Sequence, residues 1–350
     1  MNAARRTSQA NGTGPSNRRR RLLEVLAALA FLVVSTSAAA QVLVVLSDGT
    51  ASYDVVADEL RTGLEPLRDG RVRIDRVTAA RLASVDGPTF AAYEVIVPIG
   101  LSAAQAVMTR EQDLPSPPVT LCLLIPRQSF ERLAKPLTGE RARRVSAVFI
   151  DQPLARQLDL LRIALPDRHR VGVILGPSSQ ELEGALRSEA RGRELSLDFA
   201  HVGESSGVYA ALQSVMPESD LFLLLPDPVV ANADTVYGLL LTSYRAQVPV
   251  IGYSEGLLNA GALVSLFSTA KQQGRQGAEI AGAVLAHEAL PAPQHPRYFT
   301  VRVNASVARS LGLHLPAESV LNSALNGQAD PVDVKPVRDN GGRSAARSQP

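Results

Sequence analysis

The sequence is poor in residues that stabilise a fold by special chemistry. Its 350 residues include one cysteine, three methionines and no tryptophan, and only 4% are aromatic. Cys122 cannot form an internal disulfide, and its apolar surroundings in VTLCLLIP favour a buried thiol. The fold must therefore be stabilised by packing. With 45% hydrophobic residues, the chain is long enough for a sizeable core, and two lobes are favoured over one.

Recognisable catalytic and metal-binding motifs are missing as well. The sequence contains no G-x-x-x-x-G-K-[ST], no H-E-x-x-H and no cysteine pair. Its five histidines are scattered without the spacing of metal ligands. We therefore expect no enzymatic activity, no catalytic residues, no metal site and no cofactor.

One stretch matches a catalytic pattern. Residues 252–256 read G-x-S-x-G, which marks the serine nucleophile of α/β-hydrolases. No acidic residue ends a later apolar strand, no HGGG-like oxyanion stretch precedes the motif, and LLNAG interrupts the helix that should follow Ser254. We interpret the motif as a cleft-lining loop at a domain crossing and not as a strand-to-helix elbow. A serine hydrolase is the least favoured alternative.

The first 40 residues have the order of a secretory signal peptide. Four arginines (18–21) precede an apolar segment (22–37) and an Ala-Ala-Ala end (38–40). The apolar segment is short for a membrane span and contains Glu24, which argues against a membrane anchor. The sequence predicts cleavage before Gln41 and a periplasmic protein.

The net charge argues against a nucleic-acid partner. The whole chain carries +2, and residues 1–40 contribute +5 from six arginines and one glutamate, which leaves −3 for the remainder. Nucleic-acid binding requires a concentrated basic surface that displaces counterions. We expect no nucleic-acid partner.

From Gln41 onward, short apolar runs alternate with helical segments. This alternation predicts βαβ units and a doubly wound parallel α/β fold. The polar residues 327–350 predict a disordered tail. Strands are predicted at 41–47, 71–77, 93–100, 119–126, 144–150, 170–176, 195–202, 221–227, 248–254, 262–268 and 297–304. The longer predicted helices are 54–64, 102–110, 153–165, 179–191, 205–216, 229–246 and 270–288.

Polar residues follow several of the predicted strands. In doubly wound sheets, ligands bind beyond the carboxyl ends of strands, where helix N-termini favour anions. Ordinary helix capping is the alternative for each loop alone. Hydroxyl groups and helix N-termini would suit a carboxylate, whereas Asp227 or Glu255 could pair with an ammonium group. The candidate ligand-binding residues are Ser47, Asp48, Ser52, Ser102, Asp151, Ser178, Asp227, Tyr253, Ser254 and Glu255.

The C-terminal third resembles a known family. The matching segments are QVPVIGYSEGLLNAGALVSLFSTAKQQGRQGAEIAGAVLAHE (247–288), with its Gly-Arg-Gln, and YFTVRVNASVARSLGLHLPAESVL (298–321). They resemble the ABC transporter substrate-binding family that includes tryptophan-binding proteins. The sequence departs from the family where a Thr often follows the glycine of the third strand, since Leu101 stands there and Ser102 is the nearest hydroxyl.

The resemblance implies the type I periplasmic binding fold, with two Rossmann-like lobes joined by three hinge crossings. The crossings are expected near 145–150, 249–256 and 291–297. The expected first lobe comprises 41–147 with about 255–293, and the second about 148–254 with 294–326. The implied function is capture of a small amino-acid-like or carboxylate ligand for an inner-membrane permease. A periplasmic sensor or assembly protein on the same fold is the alternative.

Overall fold

The computed structural model describes residues 40–67 and 72–327. The predicted signal peptide, apart from Ala40, and the predicted tail, apart from Gly327, lie outside the described residues. Within the described ranges, no helix is both long and apolar enough to cross a membrane.

The first half of the described chain forms a five-stranded sheet with the order β2-β1-β3-β4-β5. Strand β3 pairs in parallel with β1 and β4, and β4 pairs in parallel with β5. Strand β3 is buried along its whole length, as expected of a parallel strand that is covered on both faces. The strands are β1 (Ala40–Leu46), β2 (Val72–Thr78), β3 (Val95–Ile99), β4 (Val119–Ile125) and β5 (Val145–Phe149).

The second half forms a six-stranded sheet with the order β11-β10-β9-β8-β6-β7. Its strands pair in parallel except for β11, which runs antiparallel to β10. The strands are β6 (Arg170–Leu175), β7 (Ser196–His201), β8 (Leu221–Leu223), β9 (Val250–Gly252), β10 (Val264–Phe267) and β11 (Thr300–Val303).

Helices connect the strands and cover the sheets. In chain order they are α1 (Ala51–Leu64), α2 (Gly87–Ala91), α3 (Leu101–Glu111), α4 (Arg127–Ala134), α5 (Gly139–Arg143), α6 (Leu154–Ala164), α7 (Glu183–Arg191), α8 (Val208–Val215), α9 (Val236–Arg245), α10 (Glu255–Ala260), α11 (Ala270–Leu285), α12 (Ala305–Ser310) and α13 (Glu318–Gly327). The two sheets in this α/β arrangement confirm the predicted fold class.

Every predicted strand has a counterpart in the structure, but one long helix is shorter than predicted. Helix α9 begins at Val236, whereas the sequence predicts a helix from 229. Side-chain bonds organise the preceding segment as a loop: Thr235 Oγ1 donates to the Val230 carbonyl, and Asn232 Oδ1 accepts from the Asp234 amide. Such bonds compete with helical hydrogen bonding.

One crossing lies elsewhere than expected. Strand β10 pairs with β9 through Val264 and Ile251, so residues 264–267 belong to the second sheet and not to the first lobe. Helix α11, which follows, packs against α1 of the first sheet. The chain therefore passes between the sheets at 267–270, and the crossing expected at 249–256 is displaced. An apolar run does not reveal which neighbouring strand it will join, so the sequence did not specify this partner.

Candidate functional site

Ser47 is the first polar residue after β1, and it ties the start of α3 to the sheet. Its Oγ donates to the Ile99 carbonyl at 3.0 Å and accepts from the Ala103 amide at 3.0 Å. Gly100 has a positive φ of 88°, and a Cβ there would lie 2.5 Å from Ser47 Oγ and 2.9 Å from Tyr53 Oη. Only glycine fits this turn without strain. The Ser47 hydroxyl is therefore engaged within the protein.

The other candidates of the first sheet lie around two helix N-termini. Asp48 accepts bonds from the amide and hydroxyl of Thr50, which lower the pKa of its carboxyl group. Ser52 and Ser102 are exposed in the first turns of α1 and α3. Thr50 makes no capping bond at α1, whereas at α3, which follows Gly100, the Ser47 hydroxyl already accepts from the Ala103 amide of the first turn. Positive helix-dipole ends with exposed hydroxyls favour an anion.

Asp227 connects the loops that follow β6 and β8. It is only 2% exposed. Its Oδ2 accepts from the Ser178 amide at 3.0 Å and from Ser179 Oγ at 2.9 Å, and its Oδ1 accepts from the Val229 amide at 2.9 Å. Ser178 and Asp227, two of the predicted site residues, are thus bonded to each other, and Ser178 contributes its backbone amide. The Asp227 carboxylate is thus hydrogen-bonded within the protein. It stabilises the turn between two prolines, which was the structural alternative to a ligand contact.

The G-x-S-x-G stretch forms a strand-to-helix turn, contrary to the expectation from sequence. Strand β9 ends at Gly252, and Ser254 is the N-cap of α10, where its Oγ accepts from the Leu257 amide at 3.2 Å. The backbone of Ser254 is ordinarily extended, with φ −151° and ψ 159°. A nucleophile elbow holds its serine in a strained conformation. The geometry here is that of a helix cap.

The residues that flank Ser254 differ in burial. Tyr253 is half-buried against the apolar cluster beneath α8, α9 and α10. Burial, and to a lesser extent the Asp227 charge, raises the pKa of Tyr253. Glu255 is exposed in the first turn of α10, where its charge complements the helix dipole.

Asp151 follows β5 at the first crossing and contacts two other elements. Its Oδ2 accepts from the Arg127 amide at 2.7 Å, and its carbonyl oxygen lies 2.9 Å from His295 Nδ1 on the third crossing. Burial raises the pKa of Asp151 and lowers the pKa of His295. Sequence reasoning missed His295, because it was weighed only as a catalytic or metal residue. The signal that could have found it is its place in the predicted crossing 291–297.

A polar network ties the three crossings together. Gln152 Nε2 donates to Ser268 Oγ at 2.9 Å, and Ser268 Oγ donates to the Tyr298 carbonyl at 2.6 Å. Arg156 Nη1 donates to Gln152 Oε1 at 2.8 Å and to the Pro296 carbonyl at 2.9 Å. The first, second and third crossings are thus joined through the buried side chains of Gln152 and Arg156.

The structure sorts the predicted site residues into separate groups. Ser47 lies beside the start of α3, Ser178 meets Asp227, and Asp151 meets His295. The bond from Gln152 to Ser268 joins the loop after β5 of the first sheet to the loop after β10 of the second, and among the described residues no three His, Cys, Asp or Glu side chains are placed to hold a metal ion. The arrangement offers polar loops, an uncapped N-terminus at α1 and linked crossings.

Comparison with solved structures identifies similar folds. A ligand-free, open substrate binding protein with adhesive properties from Clostridium difficile is 20% identical, covers 79% of this chain and 96% of its own, and gives a TM-score of 0.64. An ABC domain in complex with L-Trp from Streptococcus pneumoniae is 19% identical, with coverages of 81% and 97% and a TM-score of 0.55. A conserved domain protein from Vibrio cholerae is 22% identical, with coverages of 81% and 98% and a TM-score of 0.55.

The fold that these neighbours share with the chain is the type I periplasmic binding fold with two lobes. None of the curated proteins matches the chain. The model of the ABC transporter substrate binding proteins matches residues 89–327, which is more than half of the sequence. The chain belongs to the ABC transporter substrate-binding protein family.

Proposed function

We propose that this protein is exported and captures a small solute between the strand-end loops of its two sheets. The observation that carries the proposal is the linkage of the crossings, because Gln152 and Arg156 join all three through buried hydrogen bonds. Such a junction can act as a hinge about which two lobes close on a ligand. Closure would exclude water from the ligand and present a new surface to a membrane permease.

The solute that the loops would suit best is amino-acid-like or a carboxylate. The N-terminus of α1 carries exposed Ser52 and has no side-chain cap, and exposed Ser102 lies in the first turn of α3, where Ser47 binds only the Ala103 amide. Free amides at a helix N-terminus are well placed to bind a carboxylate. We propose that Asp227 acts mainly within its own loops, because its buried carboxylate already accepts three hydrogen bonds.

Binding without chemistry agrees with the geometry of Ser254. Its hydroxyl caps α10, and its backbone has no strain. If the protein were a serine hydrolase, Ser254→Ala would abolish ester hydrolysis. We expect no such hydrolysis in the wild type.

A thermal-shift screen of the protein lacking residues 1–40 tests solute capture. The probes are the twenty L-amino acids, including L-Trp, small carboxylates, sugars and myo-inositol. A bound solute stabilises the native state, by about 2.7 kcal/mol at a hundredfold excess over Kd. We expect at least one amino acid or carboxylate to raise Tm. The absence of any shift across all probes would contradict the proposal.

Two further measurements sharpen that result. Ser102→Ala should weaken the binding of the solute that is found, whereas Ser188→Ala, an exposed serine on α7 away from the strand ends, should not. Fractionation of cells that express the full chain should find the shortened protein in the periplasm. Retention of residues 1–40 in the cytoplasm would contradict the export part of the proposal.

A further inference from the structure

The point where the first and third crossings meet contains two groups, the Asp151 carboxylate and the His295 ring, that can accept further hydrogen bonds. Asp151 stands on the first crossing and His295 on the third, and they touch through the Asp151 carbonyl and His295 Nδ1 at 2.9 Å. Ile150, the preceding residue, is 42% exposed, so solvent reaches this point. We call Asp151 and His295 the crossing pair.

The contact determines which nitrogen of His295 carries the proton. A carbonyl oxygen can only accept, so Nδ1 must be the donor, and in the neutral ring Nε2 is then an acceptor. Nε2 has no hydrogen-bond partner among residues 40–67 and 72–327. The ring is held from the side by Phe149, whose centroid lies 5.5 Å away in an edge-on arrangement.

Asp151 has an equally incomplete set of partners. Its Oδ2 accepts from the Arg127 amide, but its carboxylate makes no ion pair in the described part of the chain. The nearby cations are engaged elsewhere: Arg127 Nε donates to Glu131 at 2.7 Å, and Arg156 bonds to Gln152 and Pro296. A half-buried carboxylate without a cation is unfavourable. Burial correspondingly raises the pKa of Asp151.

We propose that the crossing pair recognises a protonated nitrogen of the solute, so that Asp151 and His295 select ligands bearing an ammonium group. An ammonium has three donors and a positive charge, and it would satisfy both the carboxylate and Nε2. This assignment rests on the proposed function, and it replaces Asp227 by Asp151 as the acid that faces the charge. Because the pair lies on two crossings, a bound ammonium would also hold the hinge in one geometry.

Two panels of probes separate this inference from the proposed function. The first holds the L-amino acids, putrescine and spermidine, and the second holds sugars, myo-inositol and the carboxylic acids that remain when the amino group is removed. We expect the wild type to bind a member of the first panel and to bind its deaminated analogue at least about tenfold more weakly, as the loss of a charge-assisted bond implies.

Three variants test the residues themselves by calorimetric titration with the probe that binds. Asp151→Asn keeps an oxygen for the Arg127 amide and removes the charge, and His295→Asn keeps a donor for the Asp151 carbonyl and removes the Nε2 acceptor. Each should weaken the amine-bearing probe about 10- to 100-fold while leaving its deaminated analogue unchanged. Asp167→Asn, which removes an exposed carboxylate before β6, at the end of the sheet opposite the candidate site, is the matched control and should leave the affinity unchanged.

The outcomes are distinct. Binding confined to the second panel, equal binding of the deaminated analogue, or unchanged affinity in Asp151→Asn would overturn the crossing-pair assignment while solute capture stands. Binding of no probe in either panel would overturn both. The comparison of amine and deaminated probes uses only the wild type, so it decides the assignment even if a variant fails to fold.

Discussion

The carboxyl ends of the two sheets carry similar polar residues but use them differently. On the first sheet, α1 begins without a side-chain cap, Ser47 binds one amide of α3, and Ser52 and Ser102 are exposed in the first turns of these helices. On the second sheet, Ser254 caps α10, and Asp227 binds the loops after β6 and β8. The loops of the second sheet are thus bonded to one another through buried Asp227, whereas the first sheet keeps two exposed hydroxyl groups, those of Ser52 and Ser102. Under the proposed function, we expect the first sheet to contact the anionic group of the solute and the second to act as a rigid wall.

Replacing Asp227 should cause the largest loss of stability. Asp227→Ala removes acceptors from the Ser178 amide, the Ser179 hydroxyl and the Val229 amide, all in a buried setting. We expect a loss of about 3 kcal/mol or more in the free energy of unfolding, because stranded buried donors keep their desolvation cost. Urea denaturation measures this loss. The same change at exposed Asp48 should have no resolvable effect, and equal losses at the two sites would remove the contrast between the sheets.

A glycine after β3 should be the next most sensitive position. Gly100→Ala places a Cβ in contact with Ser47 Oγ and Tyr53 Oη at a φ of 88°. The expected loss is about 2 kcal/mol from backbone strain and displacement of Ser47. Gly49→Ala is the control, since a Cβ there meets nothing within 4 Å. A midpoint of urea denaturation that is the same for the Gly100 and Gly49 variants would contradict this prediction.

The helix cap on the second sheet should contribute less. Ser254→Ala deletes the bond from the Leu257 amide, and loss of an N-cap costs about 1 kcal/mol. Ser102→Ala, at an exposed position without a capping bond, should leave the unfolding free energy unchanged. The pair thus compares an engaged serine with a free one. If both variants were equally stable, Ser254 would not act as a cap.

The sequence predicted the strands well, because most of the apolar runs had to be buried in parallel strands. It could not place β10, since its runs of apolar residues do not encode the neighbouring strand. It also misread residues 252–256, because the same five residues fit a loop at a crossing, a nucleophile elbow or a capped helix. Only the observed φ, ψ and capping bond of Ser254 separate these alternatives.

The candidate site shows the same limit. Ser52 and Ser102 lie exposed at helix N-termini, where the strand-and-helix pattern places them. In the sequence, Asp227 was equally consistent with a turn and with a ligand contact. Its observed role depends on hydrogen bonds from Ser178, which is distant in sequence, and from the backbone amide of Val229, which the residue type does not reveal. His295 contacts Asp151 across 144 residues, and no local pattern reports such a contact.

The smallest predicted change in stability is a gain, at Asp151, whereas the Asp227, Gly100 and Ser254 substitutions reduce stability. Burial places the folded-state pKa of Asp151 above its usual value near 3.8, so ionisation favours the unfolded chain. The stability of the wild type should therefore fall as pH rises from below 3.8 through the folded-state pKa, and Asp151→Asn should lack this loss. In urea denaturation without solute, we expect Asp151→Asn to be more stable than the wild type at pH 7 but not at pH 3.5.

Asp227→Asn is the control and should be less stable than the wild type at pH 7, because the Asp227 carboxylate accepts hydrogen bonds within the protein. If both substitutions were destabilising at pH 7, the Asp151 carboxylate, like that of Asp227, would be stabilised by groups within the protein. That result would contradict a requirement for a ligand cation at Asp151.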